Sequence, residues 1–464
     1  MTALRRSTNR LDWILISVFF SIMLVGWLML YAYSYEGPGL WFEFSSTIGR
    51  HTIWCIISII AFSVVLLLDW RIWNSLSYPI YALSILSIIA VLFFGKEVRG
   101  ATSWFSIFGY TIQPSEFVKL GTSLGLAAYI GQQNINLENG KTILTAFAII
   151  FVPALIIFIQ PDAGTALIFA AFFVPLFRAG LNASLYLLAM SLAFIFIGSL
   201  IWTPAIMLLI ILLGTFLFMI LNIADKKQPL SVFTLLTLFS IASYSFIDYR
   251  IIFIIVLLSG IYFTYLLFQK GKYRLLIISA TVVVSSVLLS FGTKWTFDNV
   301  LKPHQQDRIN VWLRPELSDP QGALYNIIQS KTAIGSGGFS GKGFLKGSMT
   351  KLNYVPQQQT DFVFSILGEE QGFLGSITLI ALFTFLIIRI TIIAERVSLP
   401  FVRYYAYSIA GILFLHFFIN IGMTMGLMPV IGIPLPLVSK GGSSLLAFSI
   451  MIAILLRMDL SQRR

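Results

Sequence analysis

Residues 11–32 read "LDWILISVFFSIMLVGWLMLYA", an apolar run of about the twenty residues a helix needs to cross roughly 30 Å of hydrocarbon. Arg5, Arg6 and Arg10 precede it, as basic residues precede a secretory signal. The run is too long for a signal core and no small-x-small cleavage pattern follows it, so it is expected to be a retained first span. The rest of the chain repeats the pattern. With 58% hydrophobic and only 11% charged residues over 464 positions, and a mean hydropathy of +0.88, the composition excludes an ordinary soluble domain. Runs too long and numerous for barrel strands predict an all-α, polytopic transmembrane helical bundle.

Spans are expected near 12–32, 50–69, 76–95, 116–131, 141–159, 164–178, 182–202, 204–222, 230–246, 250–269, 273–292, 362–394, 403–425 and 441–457, about fourteen in all. The short ones at 116–131 and 164–178 are candidates for broken or tilted helices. Lys and Arg set the orientation. With the N-terminus inside, Arg71, Lys141, Arg178, Lys226, Lys227, Lys270, Lys272, Arg274, Arg389, Arg396, Arg403, Arg463 and Arg464 all fall on the cytoplasmic side, whereas the opposite short loops hold Arg50, Lys96, Arg99 and Arg250. Both termini are therefore expected in the cytoplasm, with 293–360, the longest hydrophilic interval, outside. The net charge of +12 is this asymmetry plus affinity for anionic headgroups, and the arginines are too dispersed for nucleic acid.

Several chemistries are excluded. Cys55 is the single cysteine and lies within a span, His51, His304 and His416 are scattered, and no G-x-x-x-x-G-K-[ST] loop occurs, so redox, zinc and nucleotide chemistry are not expected.

The remaining polar residues cluster in outer segments. Glu116 and Lys119 in "QPSEFVKL" are three apart, on one helix face, as a structural ion pair or as the lining of a polar cavity. Asp162 in "QPDAGTAL" is placed as a helix N-cap, and a role in a site stays open. The interval before residue 361 carries glycines at 335, 337, 338, 341, 343 and 347 beside Lys331, Lys342, Lys346 and Lys351. Exposed backbone N–H groups next to lysines suit a pyrophosphate, and a solvated basic loop is the alternative. In "QQQTDFVFSILGEEQGFLG", residues 357–375, Asp361 stands where the loop meets the next span, as a cap or as a carboxylate facing water and a lipid headgroup together. Glu369 and Glu370 are read as structural or cavity-lining.

Taken in order, "GATSWFSIFGYTIQPSEFVKL", "QPDAGTAL", "LSDPQGALYNIIQSKTAIGSGGFSGKGFLKG", "QQQTDFVFSILGEEQGFLG" and "NIGMTMGLMPVIGIPLPLVSKGGSSLL" resemble the signature segments of the shape, elongation, division and sporulation (SEDS) family, over residues 10–200 and 295–460. The glycine-rich part resembles the elongation branch more than the division branch. The resemblance implies a peptidoglycan glycosyltransferase that polymerises lipid II into β-1,4 glycan on the outer face of the cytoplasmic membrane, in elongation and shape maintenance. It implies Asp361 as catalytic base, Trp104, Glu116 and Lys119 as site residues, and a class B penicillin-binding protein as crosslinking partner. Asp162, Lys331, Lys342 and Ser439 are further candidate substrate contacts, and a divalent cation, Mg or Mn, is a candidate cofactor at the pyrophosphate. Ser103 stands where the family usually has Arg, Gln359 where it has His, and Lys440 where it has Tyr.

The family core has about ten spans, so about four are expected as an insertion within 200–292, an even number that preserves sidedness. A single integral membrane domain over 1–464 is expected. A flippase or transporter of lipid-linked precursors is the alternative in another class, and would place polar groups at mid-membrane in paired halves. A noncatalytic scaffold, in which Asp361 is dispensable, is a third.

Overall fold

Helices begin where the sequence supplies a cap. Asp12 accepts from Leu15 N at 3.1 Å, Ser46 from Gly49 N at 3.0 Å, Asn139 from Lys141 N at 3.1 Å and Asp162 from Thr165 N at 3.0 Å, while Pro114 and Pro400 occupy first turns where a missing N–H costs nothing. The computed structural model describes residues 11–35, 43, 46–98, 101–107, 110–132, 135, 137–202, 204–221, 260–262, 264–265, 268–269, 271, 273–301, 303–318, 322–352 and 354–462.

Two compact units emerge, one from Met1–Asn182 with Ser318–Arg464 and one from Ala183–Leu317. The first contains α1 (Trp13–Ser34), α2 (Thr47–Leu67), α3 (Trp70–Ser75), α4 (Ser77–Phe94), α5 (Pro114–Ile130), α6 (Gly140–Ile159), α7 (Ala163–Ile168) and α8 (Phe173–Arg178). The second contains α9 (Ala183–Ile201), α10 (Pro204–Leu221), α11 (Tyr273–Asn299) and α12 (Pro303–Leu313). The first resumes with α13 (Ala323–Ser336), α14 (Ser348–Lys351), α15 (Val363–Arg396), α16 (Pro400–Thr424) and α17 (Gly442–Gln462). Among the described residues, nine helices are long and apolar enough to cross a membrane, and the spans expected at 230–246 and over most of 250–269 lie outside those residues. The described residues of 200–292 belong to the second unit, in which Ile195, Met207 and Ile211 form a small core with a Ser199–Ser290 hydroxyl contact of 2.9 Å.

Within the first unit α16 and α17 are buried along most of their length, while α2 and α4 turn Leu67, Phe93 and Phe94 outward, 83%, 77% and 80% exposed. Such a girdle is stable only against lipid. Glycine sets the closest approaches: a Cβ on Gly121 of α5 would lie 2.4 Å from Ser84 Oγ of α4, and one on Gly442 of α17 2.2 Å from the Trp54 ring of α2, the small-residue packing expected of membrane helices.

Three segments add to the expected layout, and at one of them, 164–178, the structure shows the broken helix for which that short run was a candidate. The segment 96–112 forms a small antiparallel sheet, β1 (Lys96–Val98), β2 (Ala101–Ile107) and β3 (Tyr110–Ile112), built on the β-prone Thr102, Phe105, Tyr110, Thr111 and Ile112. The span expected at 164–178 is broken into α7, a 3₁₀ turn at Phe169–Phe172 and α8. Pro175 cannot bond to the Ala171 carbonyl, and a Cβ on Gly411 of α16 would meet that carbonyl at 2.8 Å. The third segment is 293–360, read from the sequence as a large external loop whose glycines leave backbone exposed. Much of it is helical, α13 packs on α15, and the glycines are spoken for. Lys342 N donates to Glu369 O at 3.1 Å, Gly343 N to Glu370 O at 3.0 Å, and Phe373 N and Leu374 N to Gly338 O and Phe339 O at 2.9 and 3.2 Å. This zipper breaks α15 at Gly372, where φ is 62°. Backbone N–H groups that suited a pyrophosphate are thus bonded to carbonyls of α15. The "SDP" aspartate at 319 lies outside the described residues.

Gly341 has φ +79° and an added Cβ would sit 2.1 Å from Glu370 O. Gly341→Ala is therefore expected to lift the segment from α15 at a cost of about 1–3 kcal/mol, raising proteolytic cleavage within 337–350. Gly335→Ala, with open space at its Cβ, should leave cleavage unchanged. Equal protection in both variants would contradict the zipper.

Candidate active site

At the end of the bundle where α5 begins and α16 ends, the acids and bases singled out in the sequence gather on a few segments. Lys119 Nζ lies 2.8 Å from Glu116 Oε2, both side chains almost wholly buried. It also lies 2.9 Å from His416 Nε2 and 5.3 Å from the centre of the Phe448 ring. An ammonium can only donate, so His416 Nε2 accepts and its proton is on Nδ1, directed at Pro434 O at 3.1 Å. The pair is thus a triad, and its third member carries no charge.

Asp162 adds a second carboxylate near it. Its Oδ2 accepts from Gln113 Nε2 at 2.9 Å and from Thr165 Oγ1 at 2.9 Å. Burial pushes this carboxyl above its ordinary range, Thr165 draws it back, and the nearby Glu116 charge adds to the rise. Asp162 thus caps α7 and also engages Gln113, the residue from which α5 starts.

Asp361 occupies a turn closed by Gln357, whose φ of 57° lets its carbonyl accept from Thr360 N at 3.0 Å and Asp361 N at 3.1 Å. Its side chain is 8% exposed and faces the segment 426–440, where a Cβ on Gly432 would lie 3.6 Å from Oδ2. The Asp361 carbonyl accepts from Asn420 Nδ2 at 2.9 Å, and the same nitrogen donates to Ile433 O at 2.7 Å.

Other candidates have specific places. Trp104 is half-buried on β2 opposite Lys96, in the sheet that leads into α5. Lys331 lies on α13 with its ammonium against Gly426, at the start of the segment that passes Asp361. Lys342 Nζ is engaged by Glu369 Oε1 at 2.7 Å and Ser348 Oγ at 2.9 Å, and Glu369 further accepts from Met349 N, Thr350 N and Thr350 Oγ1 at 2.8, 2.9 and 2.7 Å. Glu369 is therefore the clamp that holds 342–350 on α15. Ser439 Oγ accepts from Leu435 N at 2.9 Å and closes the turn before α17. Two of the departures from the family pattern turn out to be partners: Lys440 Nζ donates to Gln359 Oε1 at 3.1 Å and Lys440 N to Gln359 O at 2.8 Å. A cavity of about 530 Å³ between α1 and α15, lined by Val25, Met29, Phe344, Gln371 and Leu374 among others, is separate from these groups.

Two residues at the centre of the cluster escaped the sequence reading. His416 looked like one of three scattered histidines, and Asn420 was an unassigned member of "NIGM". The available signal was their spacing of four, which places them on one helix face.

Among the described residues no group of three or more His, Cys, Asp or Glu side chains converges. The donor set therefore does not fit a divalent cation held by the protein alone.

The profile of the cell cycle protein family of FtsW, RodA and SpoVE matches residues 12–208 and 249–464, and the chain belongs to that family. Residues 209–248, inside the expected insertion, are unmatched. Among named relatives, the peptidoglycan glycosyltransferase RodA of Treponema pallidum (strain Nichols) is 32% identical over 467 residues, covering 99% of each chain. The peptidoglycan glycosyltransferase MrdB of Escherichia coli (strain K12) is 31% identical over 376 residues, 81% of this chain and 75% of the relative. In fold the chain is similar to a protein solved in a study of how a peptidoglycan synthase complex coordinates polymerization and crosslinking, with TM-score 0.62, 23% identity and coverage of 97% and 98%. It is also similar to the rod shape determining protein RodA of Thermus thermophilus, with TM-score 0.55, 21% identity and 98% of both chains covered.

Proposed function

We propose that this peptidoglycan glycosyltransferase of cell elongation polymerises lipid II with Asp361 as general base. The observation that carries the proposal is the placement of Asp361, a largely buried carboxylate in a rigid turn, at the same end of the bundle as the Glu116–Lys119–His416 triad. The acceptor C4 hydroxyl is a poor nucleophile. Asp361 takes its proton as the oxygen attacks the donor's anomeric carbon, while the bond from that carbon to the pyrophosphate oxygen breaks and polyprenyl pyrophosphate leaves. The α-linked donor becomes a β-1,4 product by one inversion, so no covalent sugar-enzyme intermediate is needed.

Charge that develops on the pyrophosphate requires positive charge close by. Lys331, Lys346 and Lys351 have exposed side chains and are suited to it, whereas Lys119 is buried and engaged and acts through its field. No step is routed through a metal.

Sidedness belongs to the same proposal. At the opposite end of the bundle Asp12 is bonded by Arg389 at 2.9 Å and Arg396 at 3.1 Å, and Arg396 by Asp459 at 2.6 Å. Burial pushes the Asp12 carboxyl up, but the Arg389 bond and the Leu15 N–H outweigh it and hold the carboxyl below its ordinary value. That arginine-rich end, carrying the start of α1 and the ends of α15 and α17, is placed in the cytoplasm with both termini, and the Asp361 end on the outer face of the cytoplasmic membrane. The crosslinking partner is a class B penicillin-binding protein, a reading supported by a fold neighbour from a study of a peptidoglycan synthase complex that coordinates polymerization and crosslinking.

Purified protein with lipid II, with and without that partner, is expected to give a ladder of glycan chains on a gel, longer or more abundant with the partner. Lipid II movement across vesicles without polymer would favour the transport reading instead.

A further inference from the structure

His416 and Asn420 stand one turn apart on the same face of α16, and each joins two segments of the site. His416 bonds Lys119 at 2.9 Å and Pro434 O at 3.1 Å. Asn420 donates to Asp361 O at 2.9 Å and Ile433 O at 2.7 Å. Both side chains are inaccessible to solvent, at 2% and 0% exposed; both ring nitrogens of His416 and the amide nitrogen of Asn420 have partners, while Asn420 Oδ1 has none among the described residues, so the amide is held by its donor side alone. The two carbonyls they hold, of Ile433 and Pro434, are adjacent in the chain and directly follow Gly432, which faces the Asp361 carboxylate. We infer that His416 and Asn420 are positioning residues for glycosyl transfer, and that α16 is the strut fixing the distance between the buried Glu116–Lys119 pair and the base. The inference rests on Asp361 being that base.

The two N–H bonds of one amide explain why the strut is specific. Asn420 grips Asp361 by its main chain, so it sets where the carboxylate stands without competing for its oxygens. It grips Ile433 at the same time, so the turn carrying the base and the segment opposite it move together. One turn back, His416 transmits the position of Lys119 to the same segment through Pro434. A side chain of the same size without these donors would fill the space but leave the base free to shift, and a misplacement of about 1 Å can cost on the order of 10²-fold in rate.

Three variants in lipid II polymerisation test this, with kcat and KM measured separately beside Asp361→Asn. Asn420→Asp keeps the shape but sets oxygens against two carbonyls, and kcat should fall at least about tenfold with KM within about twofold of the parent. His416→Leu should fall comparably. His416→Gln, whose Oε1 can accept from Lys119 while Nε2 donates to Pro434 O, should recover most of the loss. If Asn420→Asp does not fold, the Leu and Gln pair at 416 decides the matter through the same split. Equal kcat in His416→Leu and His416→Gln, or losses confined to KM, would overturn the strut while an inactive Asp361→Asn left the base assignment standing. An active Asp361→Asn would instead remove the base, and the inference with it.

Discussion

Asp361→Asn is expected to lower the rate of glycan polymerisation by about 10²-fold or more, the loss typical when a general base is removed. The substitution keeps the size of the side chain and leaves the main-chain bonds to Gln357 and Asn420 untouched. Expression, thermal stability and lipid II binding should therefore stay near the parent, and the effect should appear in kcat with little change in KM. Quantitative gels of chain formation at saturating lipid II, beside a binding measurement, provide the check. Parental kcat in the variant would assign the proton transfer to another group.

Lys119→Met carries the second large effect, and it is an effect on folding. Lys119 is 0% and Glu116 2% exposed, so the neutral side chain would strand a carboxylate in a dry site at a cost of about 3–5 kcal/mol. It would also leave His416 Nε2 without the donor that fixes its tautomer. The purified variant should lose its monodisperse form at a much lower temperature than the parent. Adding Glu116→Gln removes the stranded charge, and the double variant should regain part of that temperature without regaining full activity. A single variant as stable as the parent would show that Glu116 is solvated or protonated in the fold.

How much of this was legible in the sequence depends on the range of the forces involved. Bundle architecture follows from local composition, because a run such as 13–34 must be helical in lipid wherever it packs. The break at 164–178 was also legible in outline, through the shortness of that apolar run, whereas the part played by Pro175 emerged only with the structure. The fate of the glycine-rich segment was not. Gly337, Gly341 and Gly343 look identical in sequence whether they leave backbone open to an anion or let it press against α15, and only the carbonyls left available by the kink at Gly372 decide between the two.

Side-chain pairs follow the same division. Glu116 and Lys119 are one turn apart, and their pairing could be read from spacing alone. His416 meets Lys119 across 297 positions and Lys440 meets Gln359 across 81, contacts that no local pattern announces. That last pair also gives the two departures a single physical account: at positions 359 and 440 the amide oxygen of one accepts from the ammonium of the other.

The central claim is that a carboxylate at position 361 performs the proton transfer, and it can be tested by installing one chemically. Asp361→Cys places a thiol there in a chain whose one native cysteine, Cys55, is buried. Alkylation with iodoacetate then restores a carboxylate, while iodoacetamide adds a neutral group of nearly the same size. The account predicts that the carboxymethylated protein polymerises lipid II well above both the unmodified thiol and the carboxamidomethylated protein. Equal activity of the charged and neutral adducts would contradict it.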